Sequence, residues 1–129
     1  MPLLRRWNSA QGSFVNVLII INGSAYGQDS TFNGIRLAGS LVRRESVQTT
    51  VFLMGDGVTS AIRGQQTPDG YYKLDRMLGA VARRGEVLAC ATCMDARGIT
   101  DEMLIDGAMR SSLDVLTDRT LDADKVLTF

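Results

Sequence analysis

Phe14-Val15-Asn16-Val17-Leu18-Ile19-Ile20-Ile21 is β-branched and apolar on both alternations of a strand. A strand with one face in water alternates apolar with polar. One without a polar face must be buried on two sides, as happens at the centre of a parallel sheet with helices above and below. The unbroken apolar run Val17–Ile21 is far short of the roughly 20 residues that a spanning helix needs. That single segment therefore points to an α/β domain.

The rest of the chain follows the same alternation. The strand breaks at Asn22-Gly23-Ser24-Ala25-Tyr26-Gly27-Gln28. Asp29 or Ser30 then caps a helix with Phe32, Ile35, Ala38, Leu41 and Val42 on its apolar side. Arg43 and Arg44 close it, cations at the negative end of the dipole. Val47 to Met54 is a second strand, closed by Gly55-Asp56-Gly57, with a short helix from Val58 to Arg63 after it. Beyond the turn-rich loop Gln65 to Gly70, the spacing of Tyr71, Leu74, Met77, Leu78 and Val81 predicts a helix that Gly85 ends. Glu86 to Ala89 is a third strand with Cys90 at its carboxyl end. Thr92 or Cys93 opens a helical turn that Gly98 closes, and Thr100 caps a short helix headed by Asp101 and Glu102. Ser111 with Asp114 predicts a capping box for a last helix through Leu116, and Lys125 to Phe129 is a final strand. The expected fold is a three-layer α/β/α sandwich around a mostly parallel, roughly five-stranded sheet. Residues 15–129 form its single domain, and residues 1–14 a loose N-terminal extension.

Composition narrows the chemistry. A chain of 129 residues is one domain's worth. Fourteen Lys and Arg balance fourteen Asp and Glu, so no excess of positive charge is available for a phosphate backbone, and no direct nucleic-acid contact is expected. Histidine is absent, which excludes Ser-His-Asp and Cys-His catalysis and every imidazole metal site within one chain. Cys90 and Cys93 are the two cysteines, too few and too close for a secreted disulfide scaffold, so a reducing cytoplasm is the expected home.

The informative segment is Cys90-Ala91-Thr92-Cys93-Met94-Asp95-Ala96-Arg97-Gly98. Ligand crevices of open parallel sheets lie outside the carboxyl ends of the strands, where both this segment and the Asn22–Gln28 loop fall. A helix amino terminus and a nearby cation, Arg97, lower a thiol pKa; Asp95 opposes them with a like charge. Against this stands the bland alternative of a small buried apolar residue. The C-x-x-C spacing also fits a dithiol redox pair, although the two prolines, Pro2 and Pro68, offer no obvious cis-proline for a thioredoxin fold. Zinc would need four ligands where one chain offers two thiolates. In the first loop Asn22, Gly23, Tyr26 and Gly27 match neither the P-loop nor the dinucleotide fingerprint. Their glycines suit a tight turn, and backbone N–H groups there could hold a sulfur oxyanion. With Thr92 they are the candidate substrate-binding residues.

Asn22-Gly-Ser-Ala-Tyr-Gly, Arg36-Leu37-Ala38, Phe52-Leu53-Met54-Gly55-Asp56-Gly57-Val58-Thr59, Arg63-Gly64-Gln65 and Thr92-Cys93-Met94-Asp95-Ala96-Arg97-Gly98-Ile99 together resemble the DsrE/DsrF-like family, in its YchN-like branch. The ending Leu121-Asp122-Ala123-Asp124-Lys125-Val126-Leu127-Thr128-Phe129 is similar as well. The resemblance implies a homo-oligomer, trimer or hexamer, and a sulfur-relay role. In it, a cysteine accepts a sulfane sulfur from a donor protein and passes the persulfide to an acceptor. It implies Cys90 as carrier, by its spacing to Arg97-Gly98, with the presence of Cys93 leaving the choice between the two thiols open. On the reading of the residues themselves, Cys93 is a resolving thiol and Arg97 an electrostatic stabiliser of the thiolate. Such sulfurtransferase-like exchange needs no cofactor and no metal. The competing expectations are a small-ligand or nucleotide-binding module with Cys90 merely buried, and a dithiol redox protein.

Overall fold

The computed structural model describes residues 14–129; of the extension expected over residues 1–14, all but Phe14 lies outside the described residues. The sheet has five strands in the order β4-β3-β2-β1-β5, and every pairing is parallel. The strands are β1 (Val15–Ile21), β2 (Val47–Leu53), β3 (Glu86–Cys90), β4 (Ala108–Ser111) and β5 (Lys125–Thr128). Four α-helices accompany them: α1 (Asp29–Leu41), α2 (Leu74–Ala82), α3 (Ala91–Ala96) and α4 (Leu113–Asp122). Two 3-10 turns, Gly55–Ala61 and Asp101–Met103, complete the fold.

Strand order dictates which face each helix covers. From β1 to β4 the chain steps across the sheet in one direction, so crossovers of one hand put their helices on one face. There Ile35 and Ala38 of α1 and Leu74, Leu78 and Val81 of α2 bury Val17, Ile19, Ile21, Val51, Leu53, Val87 and Ala89. The return from β4 past all the other strands to β5 runs the opposite way and places α4 on the other face. There Leu116 closes over Leu18, Phe52 and Leu88. Each fully buried aliphatic side chain is worth about 1.5–3 kcal/mol, which is why the doubly apolar β1 sits inside the sheet.

One helix cannot roof a five-stranded face. Met109 on β4 and Val126 on β5 are accordingly exposed, as are Leu113 and Leu121 of α4. Polar ties hold α4 in place instead. Arg119 reaches both carboxylate oxygens of Glu86, at 2.7 and 2.8 Å, and Glu86 also accepts from Thr50 Oγ1 at 2.9 Å. Asn16, the polar member of β1, donates from Nδ2 to the carbonyl of Asp122 and from its backbone N–H to Asp124 Oδ2.

Several boundaries differ from the sequence expectation. β4 has no counterpart in the sequence expectation, because Ala-Met-Arg-Ser has no strand pattern and pairing with β3 alone defines it. Arg43 and Arg44 follow α1 rather than ending it, and Tyr71 precedes α2. Tyr71 instead stacks on Tyr72 at 4.5 Å between ring centroids. The short helix expected from Val58 to Arg63 is the 3-10 turn Gly55–Ala61. Ser112 rather than Ser111 caps α4, accepting from the Val115 N–H at 3.3 Å, and the helix runs on to Asp122. No helix among the described residues is long and apolar enough to cross a membrane.

Candidate functional site

β3 ends at Cys90, which is also the N-cap of α3, so the helix opens at Ala91, one residue before Thr92 and two before Cys93. Its backbone stays extended (φ −61°, ψ 121°), and the chain turns into the helix immediately afterwards. Met94, fully buried, pins this short helix to the core. The turn brings Thr92 and Cys93 back over the Cys90 sulfur: Thr92 Oγ1 lies 3.3 Å from Cys90 Sγ.

The two half-buried thiols are driven in opposite directions. Burial pushes Cys90 up, but hydrogen bonds from the Thr92 hydroxyl, the Cys93 thiol and the backbone N–H groups of Cys93 and Thr92 outweigh it. The Cys90 thiol therefore lies below its ordinary value. At Cys93, burial and the hydrogen bond with Cys90 push upward. The Gly55 N–H, 3.1 Å from Cys93 Sγ, and Arg97 pull the other way and are outweighed, so Cys93 lies above the ordinary thiol value. Of the two thiols, Cys90 is the more readily ionised.

Arg97 is turned toward Cys93 and Asp56. It donates to the Cys93 carbonyl at 3.0 Å and to Asp56 Oδ1 from Nε at 3.0 Å and a terminal nitrogen at 2.9 Å. Its charge lowers Cys93, while the Thr92 hydroxyl, the Cys93 thiol and the backbone N–H groups are the larger influences that lower Cys90. The Asp95 charge is taken up by Arg110 at 2.6 Å, with Asp101 3.7 Å from the same guanidinium. Hydrogen bonds from Thr92 and the α3 backbone therefore fill the place expected of Arg97.

A cavity of ≈370 Å³ opens beside Cys90, between the carboxyl ends of β2 and β3 and the first turn of α4. Phe52, Met54, Leu113 and Leu116 form its walls, and Cys90, Thr92 and Cys93 one end.

The first loop stands apart from this cavity. The 3-10 turn Gly55–Ala61 lies between: Ala25 N–H bonds to Thr59 Oγ1 at 3.0 Å, while Gly55 and Asp56 serve Cys93 and Arg97. Tyr26 bonds through its hydroxyl to Gln65, receives the Leu74 N–H at 3.1 Å, and stacks on Tyr72. Asn22 donates its N–H to the Phe129 carbonyl at 2.9 Å. Gly23 is buried, and Gly27 supplies a left-handed turn at φ 91°. Of the candidate substrate-binding residues, the structure thus brings Thr92 alone to the thiols.

Asp56, Gly55, Arg110 and the cavity walls were not anticipated. Asp56 was within reach of sequence reasoning, since Gly55-Asp56-Gly57 closes the strand beside β3. Arg110 was not, because its strand carries no pattern. No group of three or more Cys, Asp or Glu among the described residues could hold a metal ion.

Replacing Thr92 by valine removes the hydroxyl while keeping the shape. The pH at which Cys90 becomes half-reactive toward iodoacetamide is expected to move upward. The rate follows the thiolate fraction, so at neutral pH it should fall several-fold, whereas Cys93 should change little. An unmoved profile would remove Thr92 from the site.

The family model described as DsrE/DsrF-like matches residues 15–129. The protein YchN of Escherichia coli is 44% identical over 115 residues, spanning 88% of this chain and 97% of that protein. The crystal structure of YchN superposes with a TM-score of 0.83 at 42% identity, covering 90% of this chain and 100% of that one. A more distant relative, named a sulfurtransferase TusD homolog of Vibrio parahaemolyticus, is 23% identical over 125 residues, covering 86% of this chain and 95% of that protein.

Proposed function

The chain belongs to the DsrE/DsrF-like family, and from that membership and the geometry at Cys90 we propose that it is a sulfur carrier. Cys90 takes a sulfane sulfur from a donor persulfide and hands it to an acceptor. The observation that carries this reading is the Cys90 sulfur itself, strand-terminal, half-exposed, 3.3 Å from Thr92 Oγ1 and at the mouth of a cavity, with its thiol below the ordinary value. The Vibrio relative, named a sulfurtransferase TusD homolog, supports the same chemistry.

In loading, the Cys90 thiolate attacks the outer sulfur of R–S–SH. The donor S–S bond breaks with its electron pair on R–S⁻, and a new S–S bond forms on Cys90. Release has two routes. An acceptor nucleophile attacks the outer sulfur and expels the Cys90 thiolate, or Cys93 attacks Cys90 Sγ, forming a Cys90–Cys93 disulfide and freeing HS⁻. The second route leaves a disulfide that a cellular dithiol reductant must reopen, and the free state of both cysteines suits a reducing cytoplasm. The test is mass spectrometry after exposure to a persulfide donor. The peptide containing residues 90–97 should gain about 32 Da, one sulfur atom. A wild-type chain that gains nothing there overturns the reading.

The same proposal includes self-association into a trimer or hexamer. Supporting it are the exposed Met109 and Val126 on the face that α4 leaves partly open, together with a net charge of zero. Light scattering is expected to return a multiple of the 14.0 kDa chain, and a monomer at micromolar concentration would refute it.

A further inference from the structure

The cavity beside Cys90 carries information about the donor that the thiols alone do not. Its walls are Phe52, Met54, Leu113 and Leu116, its polar side chains are the thiols and the hydroxyls of Thr92, Ser111 and Ser112, and no charged side chain among the described residues lines it. Ser112 Oγ is already engaged by the Val115 N–H. The cations that flank the site are engaged too, Arg97 by Asp56 and Arg110 by Asp95. An anionic group brought here would lose hydration without finding an unpaired cation among the described residues that flank the site, and would face the Cys90 thiolate. A hydrocarbon group would replace water against an apolar wall, and ≈370 Å³ is room for a small molecule.

Resting on the carrier reading, we propose that the donor which loads Cys90 is the persulfide of a small, uncharged, apolar thiol, whose hydrocarbon arm occupies this cavity. Displacement at sulfur is in line. The outer sulfur meets Cys90 Sγ while the departing sulfur and its hydrocarbon group lie beyond it, on the side of Leu113 and Leu116. The transferred atom keeps its sulfane oxidation state. The donor's S–S bond is exchanged for one on Cys90, and the proton of the new persulfide passes to the departing thiolate, which leaves as a neutral thiol. No oxidant or reductant is required. The arrangement selects by charge as well as by fit, because a carrier thiol with carboxylates has nowhere to place them.

Two donors with the same reacting group decide the matter: n-butyl persulfide and glutathione persulfide, each loading rate divided by that donor's rate with free cysteine. With wild-type protein the butyl donor is expected to load Cys90 at least about tenfold faster, the scale on which an apolar pocket discriminates. Leu113→Lys places a cation at the cavity wall, on a residue 68% exposed and therefore dispensable for the core. It should bring the ratio close to one, by slowing the butyl donor and speeding the glutathione donor. Equal wild-type rates, a preference for glutathione persulfide, or a ratio that Leu113→Lys leaves unchanged overturns the proposal while leaving Cys90 a carrier. Failure of both donors to modify Cys90 overturns the carrier reading with it.

Discussion

A chain with serine at position 90 is expected to take up no sulfur from any persulfide donor, while folding and assembling as wild type does. Serine differs from cysteine by one atom and little volume, and Cys90 is half-buried at a strand end where the loss of a few contacts is cheap. The hydroxyl, however, is not ionised at neutral pH, and every hydrogen bond that lowers the Cys90 thiol is then aimed at a group that cannot act as nucleophile. Cys93 does not substitute for it. Its thiol is raised, and its sulfur is already engaged by the Gly55 N–H. The +32 Da adduct (about one sulfur atom) should vanish from the peptide spanning residues 90–97. The companion Cys93→Ser should load fully and differ in release, holding its persulfide longer because the internal attack that frees HS⁻ is gone. Loading of the Cys90 variant at the wild-type rate would sink the assignment and favour the reading of Cys90 as a packing residue.

The second large effect is expected in the turn that abuts Cys93. A Cβ added at Gly57 would run into the carbonyl of Ile21, backbone against backbone, so no side-chain rotation relieves it. The 3-10 turn Gly55–Ala61 has to move. Gly57→Ala is expected to cost about 3 kcal/mol, toward the upper end for overpacking, and to lower Tm by roughly 10 °C or more. The same displacement drags the Gly55 N–H from Cys93 and Asp56 from Arg97, so Cys93 alkylation should change along with stability. Gly39→Ala is the counterpart. Nothing lies within 4 Å of the added Cβ, and in the body of α1 the change should stabilise by about 0.5–1 kcal/mol. Urea unfolding of both variants reads the contrast, and a Gly57→Ala protein as stable as wild type would show that the turn yields freely.

What could be read beforehand follows from where the causes lie. β1 announces itself because burial on two faces leaves no polar position except Asn16, and the parallel layered fold follows from it. β4 is invisible because its residues are chosen by an edge position and by Arg110 serving Asp95, neither of which has a local pattern. The strand-end thiol was legible for the same reason as the fold, since a strand boundary is a local signal. What lowers that thiol was not. It depends on the chain turning one residue sooner than expected, so that Thr92 and the backbone of Cys93 reach back to Sγ where Arg97 was expected to act. The cavity was out of reach entirely, because its far wall belongs to α4, brought there by the reversal of strand order rather than by anything near Cys90.

The place of β5 beside β1 has a kinetic consequence. Asp124 meets Asn16 across 108 positions of sequence, and no pairing in the sheet is more distant than that between β1 and β5. During synthesis from the amino end, β1 emerges first and waits with an open edge until almost the entire chain has followed. For that interval its Val-Leu-Ile-Ile-Ile row is a template for any other strand nearby. The most apolar segment of the molecule is thus its aggregation hazard before it is its core, and the last strand to arrive is the one that ends the exposure.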